Sequence, residues 1–200
     1  MEQNLTKHER RAQKKAQQQM QLQQTHQSEK MKKIVRWGVI LLLLAGVIGG
    51  IIYLAQQYTK NLPGIEFTNQ GREHVSLNQE HPEYNSNPPT SGWHSSDWEK
   101  DWGIQADYVE EYYQVHNLEH GGIIVHYQPD KVTNLSELDS LFTELQKKNK
   151  KMLLMPNPNL DTTYALTAWT RLDAFDQYDP ERIKTFTKAY YDKGPEKTME

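Results

Sequence analysis

The longest hydrophobic segment of the chain lies near its N-terminal end. No charged residue occurs between Trp37 and Tyr58, and residues 37–54 are almost wholly apolar. A run of about 18 such residues is long enough to cross the hydrocarbon core of a bilayer, roughly 30 Å thick, as a helix. The pattern therefore predicts one transmembrane helix over residues 34–55, in contact with the lipid bilayer, and a short stalk over residues 56–64.

Charge is distributed unevenly about this segment. Residues 1–36 carry a net charge of +6 and the rest of the chain −9, within a total of −3. Four basic residues immediately precede the apolar run, and only one follows it closely: Lys30, Lys32, Lys33 and Arg36 against Lys60. Because basic residues favour the cytoplasmic side, the N-terminus is predicted to be cytoplasmic and the C-terminal part extracytoplasmic. A cleaved signal peptide is the alternative, but its basic region would be unusually long.

The first 33 residues form a basic, Gln-rich tail with few large apolar side chains. Such a segment cannot bury enough surface to fold by itself, so it is predicted to be a helical or disordered cytoplasmic tail. Its charge fits anionic lipid headgroups, and no nucleic-acid partner is expected. Gly46 and Gly50 form a small-xxx-small pair that would allow a homodimer contact between two transmembrane helices.

The polar and apolar alternation after residue 65 predicts one α+β domain over residues 65–196. Its N-terminal part, to about residue 103, is rich in loops around the Pro/Gly-containing segment 85–92. Beyond it, the patterns predict a helix capped by Asp107, a strand at 123–127, a helix starting at Asn134 or Ser136, strands at 152–155 and 164–172, and a helix opening at Asp179 and Pro180. The order after residue 121 is thus β-α-β-β-α, a layered arrangement.

Composition limits the chemistry of this domain. The chain has no cysteine, which excludes disulfides, thiolate metal ligands and a lipid-modified cysteine. It also contains no phosphate-binding glycine loop and no G-x-S-x-G motif. Histidine and carboxylate are the remaining candidate ligands.

Histidines are concentrated in the first half of the domain, where six of the eight lie between His74 and His126. The segment 116–120 reads H-x-x-E-H, the inverted form of a zinc-protease motif. On a helix, residues four apart lie about 6 Å apart and can share one metal ion, whereas on a strand they cannot. Because Gly121 predicts a helix end immediately after the motif, His116 and His120 are predicted to bind one metal ion together.

A metal ion needs further ligands, and His94 and His74 are the best suppliers upstream of the motif. The predicted site therefore contains His74, His94, His116 and His120 and would hold copper or zinc, both of which suit imidazole. His126 is a poorer candidate because it falls in a predicted strand. Met152 and Met155 could bind monovalent copper, but three-residue spacing on a strand points them to opposite faces, which favours packing.

Three functions are compatible with these residues. The first is a metal-binding domain. The second is a metal-dependent hydrolase in which Glu119 acts as the general base. The third is a metal-free domain that binds a partner or the cell wall through an aromatic and acidic patch, formed by Trp93, Trp98, Trp102, Asp97, Glu99 and Asp101. Histidines that only form structural hydrogen bonds belong with this third reading.

Three segments, 84–94, 115–122 and 166–169, occur in the order and form typical of one bacterial family: YNSNPPTSGWH, VHNLEHGG and LTAW. Through them, residues 71–196 resemble the family called domain of unknown function 3105. The resemblance implies a protein of the bacterial cell membrane with an extracytoplasmic domain, and it places His94, His116 and His120 within the motifs and His74 near the start. Trp93 stands where the family pattern would have proline.

Overall fold

The computed structural model describes residues 7–60, 62–76, 79–95 and 101–197 and divides the chain into two compact units, residues 1–61 and 62–200. The first unit contains one continuous helix, α1 (Lys7–Lys60). This helix is long and apolar enough to cross a membrane, and none of its apolar window is buried within the protein. It also extends through residues 7–33 of the predicted tail and residues 56–60 of the predicted stalk.

The second unit, the C-terminal domain, is built on a six-stranded mixed sheet with the order β1-β8-β7-β5-β6-β4. Strands β5 and β6 are parallel, and β7 and β8 form an antiparallel hairpin beside β5. The strands are β1 (Ile65–Glu66), β4 (Gly103–Ile104), β5 (Ile123–Tyr127), β6 (Met152–Pro156), β7 (Tyr164–Ala168) and β8 (Arg171–Phe175). Between β1 and β4, β2 (His74–Val75) and β3 (His94–Ser95) form a separate parallel pair.

One face of the six-stranded sheet packs on two amphipathic helices, α3 (Leu135–Gln146) and α4 (Pro180–Tyr190). Both begin where the sequence predicted, because Asn134 occupies the position before α3 and the Asp179 carboxylate accepts a hydrogen bond from the Arg182 amide. Alternate residues of each strand face this side, as the period of two requires. The resulting core contains Ile123, Val125, Leu138, Phe142, Met152, Leu154, Leu166 and Phe186.

The opposite face of the sheet carries a smaller apolar cluster and the helix α2 (Glu111–Glu119). Ile124, Leu153 and Met155 pack there against Leu118 of α2 and against Val109. Helices on both faces of one sheet give the α+β architecture that the sequence predicted. The face with α2 is the one that carries the histidines of the H-x-x-E-H motif.

Two elements differ from the prediction. The predicted single strand 164–172 is the hairpin β7–β8, so the order after residue 121 is β-α-β-β-β-α. The turn contains no glycine, proline or asparagine; instead Thr170 adopts a φ of 60°, and its amide and carbonyl bond to Thr90 and Phe67. Tertiary contacts thus support a turn that has no local sequence signal.

The second difference is the start of α2, which lies at Glu111, with Glu110 before it, and not at Asp107. Val109 is buried in the apolar cluster on this face, and the side chain of Gln114 donates a hydrogen bond to the Val109 carbonyl at 2.7 Å. Burial of Val109 therefore takes precedence over capping by Asp107, and the helix begins two residues after Val109.

Candidate metal centre

Three short elements bring the histidines of the C-terminal domain together. Strands β2 and β3 pair in parallel with His74 directly opposite His94, so both side chains leave the pair on the same face. The pairing is extended by hydrogen bonds from the Gly92 amide to the Gly71 carbonyl and from the His94 amide to the Glu73 carbonyl. Helix α2 packs beside β3 and contributes His116.

One ring nitrogen each of His74, His94 and His116 lie within 4.8 Å of one another. His94 and His116 are buried, whereas His74 is exposed. The ring centroids are 4.6 Å apart for His74 and His94, and 5.3 Å apart for His94 and His116. Three imidazoles from three separate segments therefore converge on one point.

The carbonyl groups around the cluster determine which nitrogen of each buried ring is available. His94 Nδ1 lies 2.8 Å from the Gly92 carbonyl oxygen, and His116 Nδ1 lies 2.6 Å from the Ser95 carbonyl oxygen. A carbonyl oxygen only accepts, so both Nδ1 atoms must carry hydrogen and donate. In the neutral rings Nε2 then carries a lone pair, and carbonyl groups bonded to Nδ1 orient metal-binding histidines in the same way.

A carboxylate lies against two of the three rings. Glu119 is buried, and its Oε2 is 2.9 Å from His94 Nε2 and 3.8 Å from His74 Nε2. Burial lowers the pKa of His94, although the bond to the Gly92 carbonyl and the charge of Glu119 oppose the shift. A neutral His94 presents a lone pair to an acceptor oxygen, so a positive ion, either a proton or a metal ion, must lie between them.

His120, the other histidine predicted from the motif, lies against His116 at the end of α2. Its Nε2 is 2.8 Å from His116 Nε2. Because neutral His116 already donates through Nδ1, its Nε2 accepts, and His120 Nε2 is the donor. His120 therefore contacts the same His116 nitrogen that would bind a metal ion, and it lies outside the group of three that converges within 4.8 Å.

The end of α2 is held by the C-terminal segment that follows α4. The Asp192 amide donates to the Gly121 carbonyl at 2.9 Å, and the Glu196 amide donates to the Glu119 carbonyl at 3.1 Å. Gly121 has a φ of +81°, and a side chain there would meet the Asp192 backbone. These contacts restrain the position of Glu119. They were not predictable from the sequence, since they join segments about 70 residues apart.

Arg72 is the other neighbour that the sequence did not indicate. Its Nε lies 4.0 Å from Glu119 Oε1, which brings a cation to the edge of the cluster. Its position next to Glu73 and His74 in a loop carried no periodic signal.

Other candidate residues lie away from this cluster. His126 is fully buried in β5 and hydrogen-bonded through Nε2 to Thr167 Oγ1. Met152 and Met155 pack in the apolar clusters on opposite faces of the sheet. Of the predicted aromatic and acidic patch, residues 97–99 lie outside the described residues, while Trp102 packs against the cluster around Leu118.

The profile of a family described as Protein of unknown function (DUF3105) matches residues 74–200, which include all four histidines of the predicted site and Glu119. No curated protein and no solved structure matches the chain.

Proposed function

Because this chain belongs to the DUF3105 family, whose description names no activity, we propose from its own residues that it is a membrane-anchored metal-binding protein. Its C-terminal domain binds one divalent transition metal ion, zinc or copper, through His74, His94 and His116. The fourth ligand is Glu119, which lies beside His94 and His74 but outside the group of three converging nitrogens. The observation that carries this proposal is the convergence of three imidazole nitrogens within 4.8 Å.

The arrangement of donors fits a metal ion in two respects. Ligand nitrogens about 2.0–2.1 Å from zinc lie roughly 3.4 Å apart, so three nitrogens within 4.8 Å need only small side-chain movements to reach it. The inward-facing Nε2 lone pair of His94 and the carboxylate of Glu119 also need a positive ion between them. A metal ion would satisfy both groups without protonating a buried carboxyl.

The donor types favour a divalent ion. All candidate ligands are imidazole nitrogens or a carboxylate oxygen, which suit zinc and divalent copper. Monovalent copper prefers thiolate and thioether sulfur. The chain has no cysteine, and Met152 and Met155 are both buried away from the cluster.

The proposed location is the cell membrane, with the N-terminus in the cytoplasm and the metal-binding domain outside. It is supported by the helix α1, which is long and apolar enough to span a membrane, and by the basic residues immediately before its apolar segment. An extracytoplasmic site built from imidazole and carboxylate does not depend on a reducing environment, because neither ligand forms disulfides.

Elemental analysis of the full-length chain, purified in detergent without a metal-affinity tag, tests the proposal. We expect one zinc or copper per chain, and removal of the metal with a chelator should lower the melting temperature, since a ligand bound only by the folded state stabilises it. The matched control is His26→Gln, which removes an exposed histidine from α1. Protein without metal, whose melting is unchanged on adding zinc or copper, would show that the cluster is a hydrogen-bond network with a shared proton.

Hydrolysis by the same site is the second reading, and Glu119→Gln separates it from binding alone. A general base lies outside the ligand set, so its loss would leave the metal bound and abolish turnover. Glu119 Oε2 is instead close to two of the ligand rings, at 2.9 and 3.8 Å. This position supports a ligand, and Glu119→Gln is therefore expected to weaken metal binding itself.

A further inference from the structure

The histidine cluster is open to solvent on one side. The side chain of His94 is fully buried and that of Glu119 is 2% exposed, whereas His74 is 48% exposed and Arg72 is 50% exposed. Both exposed residues belong to the short segment that leads into and forms β2. A molecule arriving from solvent therefore reaches the cluster between His74 and Arg72.

Arg72 has hydrogen-bonding capacity that its surroundings do not use. Its only ion pair in the described part of the chain is with Glu119, at 4.0 Å, which is too long for a hydrogen bond. Its side chain forms no hydrogen bond with any other residue that the structure describes. A guanidinium presents five N–H donors in a planar fork whose geometry matches the oxygens of a carboxylate or phosphate.

The charge balance at this opening indicates the sign of the missing partner. Three neutral imidazoles, one carboxylate and a divalent ion would carry a net charge of about +1, and Arg72 adds a second positive charge beside them. Like charges this close repel each other unless an anion lies between them. Three histidines and one carboxylate also leave room for a further ligand on an ion that accepts five.

From these contacts we propose that the centre binds an oxyanion, the carboxylate or phosphate group of a small molecule, with Arg72 as its second contact. One oxygen binds at the open side of the metal beside His74, and the guanidinium of Arg72 donates to another. The inference rests on the proposed metal site, and it identifies the chemical class of the molecule that the site receives. Arg72 is a specificity residue in this scheme and not a metal ligand.

Cobalt(II) is the probe for the experiment, because its visible absorption reports the groups bound to it. Full-length protein in detergent is loaded with cobalt(II) and titrated separately with inorganic phosphate and with acetate, at constant ionic strength. Binding at the metal shifts the absorption bands of the protein-bound ion, whereas extraction of cobalt by the anion abolishes them. Comparison of phosphate with acetate distinguishes the two sources of the oxyanion.

Two substitutions of Arg72 and one control complete the test. Arg72→Gln should leave cobalt affinity near that of the wild type and weaken anion affinity by about tenfold or more, because a charge-assisted hydrogen bond is lost. Arg72→Lys should recover part of the loss, since the charge is kept without the planar fork. Lys188→Gln, which removes an exposed cation elsewhere in the domain, should have no effect.

The outcomes separate this inference from the one on which it rests. Cobalt that binds but gives bands insensitive to both anions, or equally sensitive in wild type and Arg72→Gln, overturns the oxyanion site and leaves the metal site standing. If substitution of Arg72 changes cobalt affinity but not anion affinity, Arg72 only balances the charge of Glu119. That result also overturns the oxyanion site. If neither cobalt nor zinc binds, both proposals fail.

Discussion

At the scale of single residues, two backbone carbonyls determine what the histidines can do. The Gly92 and Ser95 carbonyls accept hydrogen from Nδ1 of His94 and His116, which leaves Nε2 of each neutral ring as an acceptor. His116 Nε2 then has two competing uses: it accepts hydrogen from His120, or it binds a metal ion. His116 and His120 therefore differ in the hydrogen bond between them, in which His120 donates and His116 accepts.

The first prediction compares these histidines. His74→Ala and His116→Ala should each weaken zinc binding by more than about tenfold, because each removes a ligand. His120→Ala should have a smaller effect or strengthen binding, since no hydrogen bond to His116 Nε2 then has to be broken. Competition with a chromophoric chelator measures the affinities, with His26→Gln as the control. Loss of binding in His120→Ala with binding retained in His74→Ala would instead support a site shared by His116 and His120, as the motif spacing predicts.

The second prediction concerns His126, whose burial in β5 lowers its pKa to about 3, against an ordinary value of about 6.5. Between these values the unfolded chain binds a proton that the folded chain excludes. The free energy of unfolding should therefore fall as the pH is lowered below about 6.5. His126 contributes roughly 1 kcal/mol per pH unit to this fall, which should level off near pH 3.

Denaturant unfolding of the full-length chain with chelator present, followed by tryptophan fluorescence, measures this dependence. His126→Gln should flatten it, because the new side chain does not titrate, while His26→Gln should match the wild type. An unchanged slope in His126→Gln would assign the acid sensitivity to other groups.

Residue types and spacing identified His74, His94 and His116 as candidates, because their concentration is visible in the sequence. They did not indicate the hydrogen bond between His116 and His120, since spacing on a helix fixes proximity and says nothing of which ring nitrogen is engaged. Arg72 was missed for a related reason: a half-exposed arginine in a loop has no pattern until the fold brings Glu119 beside it.

At the scale of elements, the cluster depends on pieces with little stability of their own. Strands β2 and β3 have two residues each, and α2 has nine, fewer than an isolated helix needs in water. They are held by tertiary contacts: Leu118 and Val109 pack on the sheet, and the segment after α4 bonds to the end of α2. The geometry of the site therefore depends on the C-terminal segment as well as on the histidines.

The third prediction tests this dependence by comparing two glycines with positive φ. Gly71 has a φ of +96° and open space where a side chain would be, whereas Gly121 has a φ of +81° and the Asp192 backbone in that place. Gly71→Ala should lower the free energy of unfolding by about 1 kcal/mol, from backbone strain alone. Gly121→Ala should lower the free energy of unfolding by at least about 1 kcal/mol more, because the C-terminal segment must also move.

Denaturant unfolding of both variants measures the difference, and zinc affinity of both measures its effect on the site. We expect the affinity to fall in Gly121→Ala, where Glu119 is displaced. Equal stabilities for the two variants would mean that the segment after α4 does not restrain α2.

Elements with strong local signals were predictable: α3 from its apolar face, α4 from Asp179 and Pro180, and β5 and β6 from their apolar runs. The elements that differed are those determined by distant contacts. The turn at Thr170 is held by Thr90 and Phe67, and the start of α2 follows the burial of Val109. Neither feature has a signal in the local sequence.

At the scale of the whole molecule, the chain combines two units with opposite charge and different roles. The first is a 54-residue helix with an apolar segment and a basic N-terminal part. The second is an acidic α+β domain that contains the histidine cluster. If the helix spans the membrane with its basic end in the cytoplasm, the domain with every proposed ligand lies outside the cell.

The fourth prediction uses the absence of cysteine to determine this orientation. Single cysteines are introduced at exposed positions in each unit, Lys188→Cys in the domain and Gln18→Cys in α1, and intact cells are treated with a membrane-impermeant maleimide. We expect labelling of Lys188→Cys in intact cells and of Gln18→Cys only after lysis. Replacing Lys30, Lys32, Lys33 and Arg36 with Gln removes the orienting charges, so a fraction of Gln18→Cys molecules should then become labelled from outside. Labelling of Gln18→Cys alone in intact cells, with the four basic residues present, would place the histidine cluster in the cytoplasm and contradict the proposed orientation.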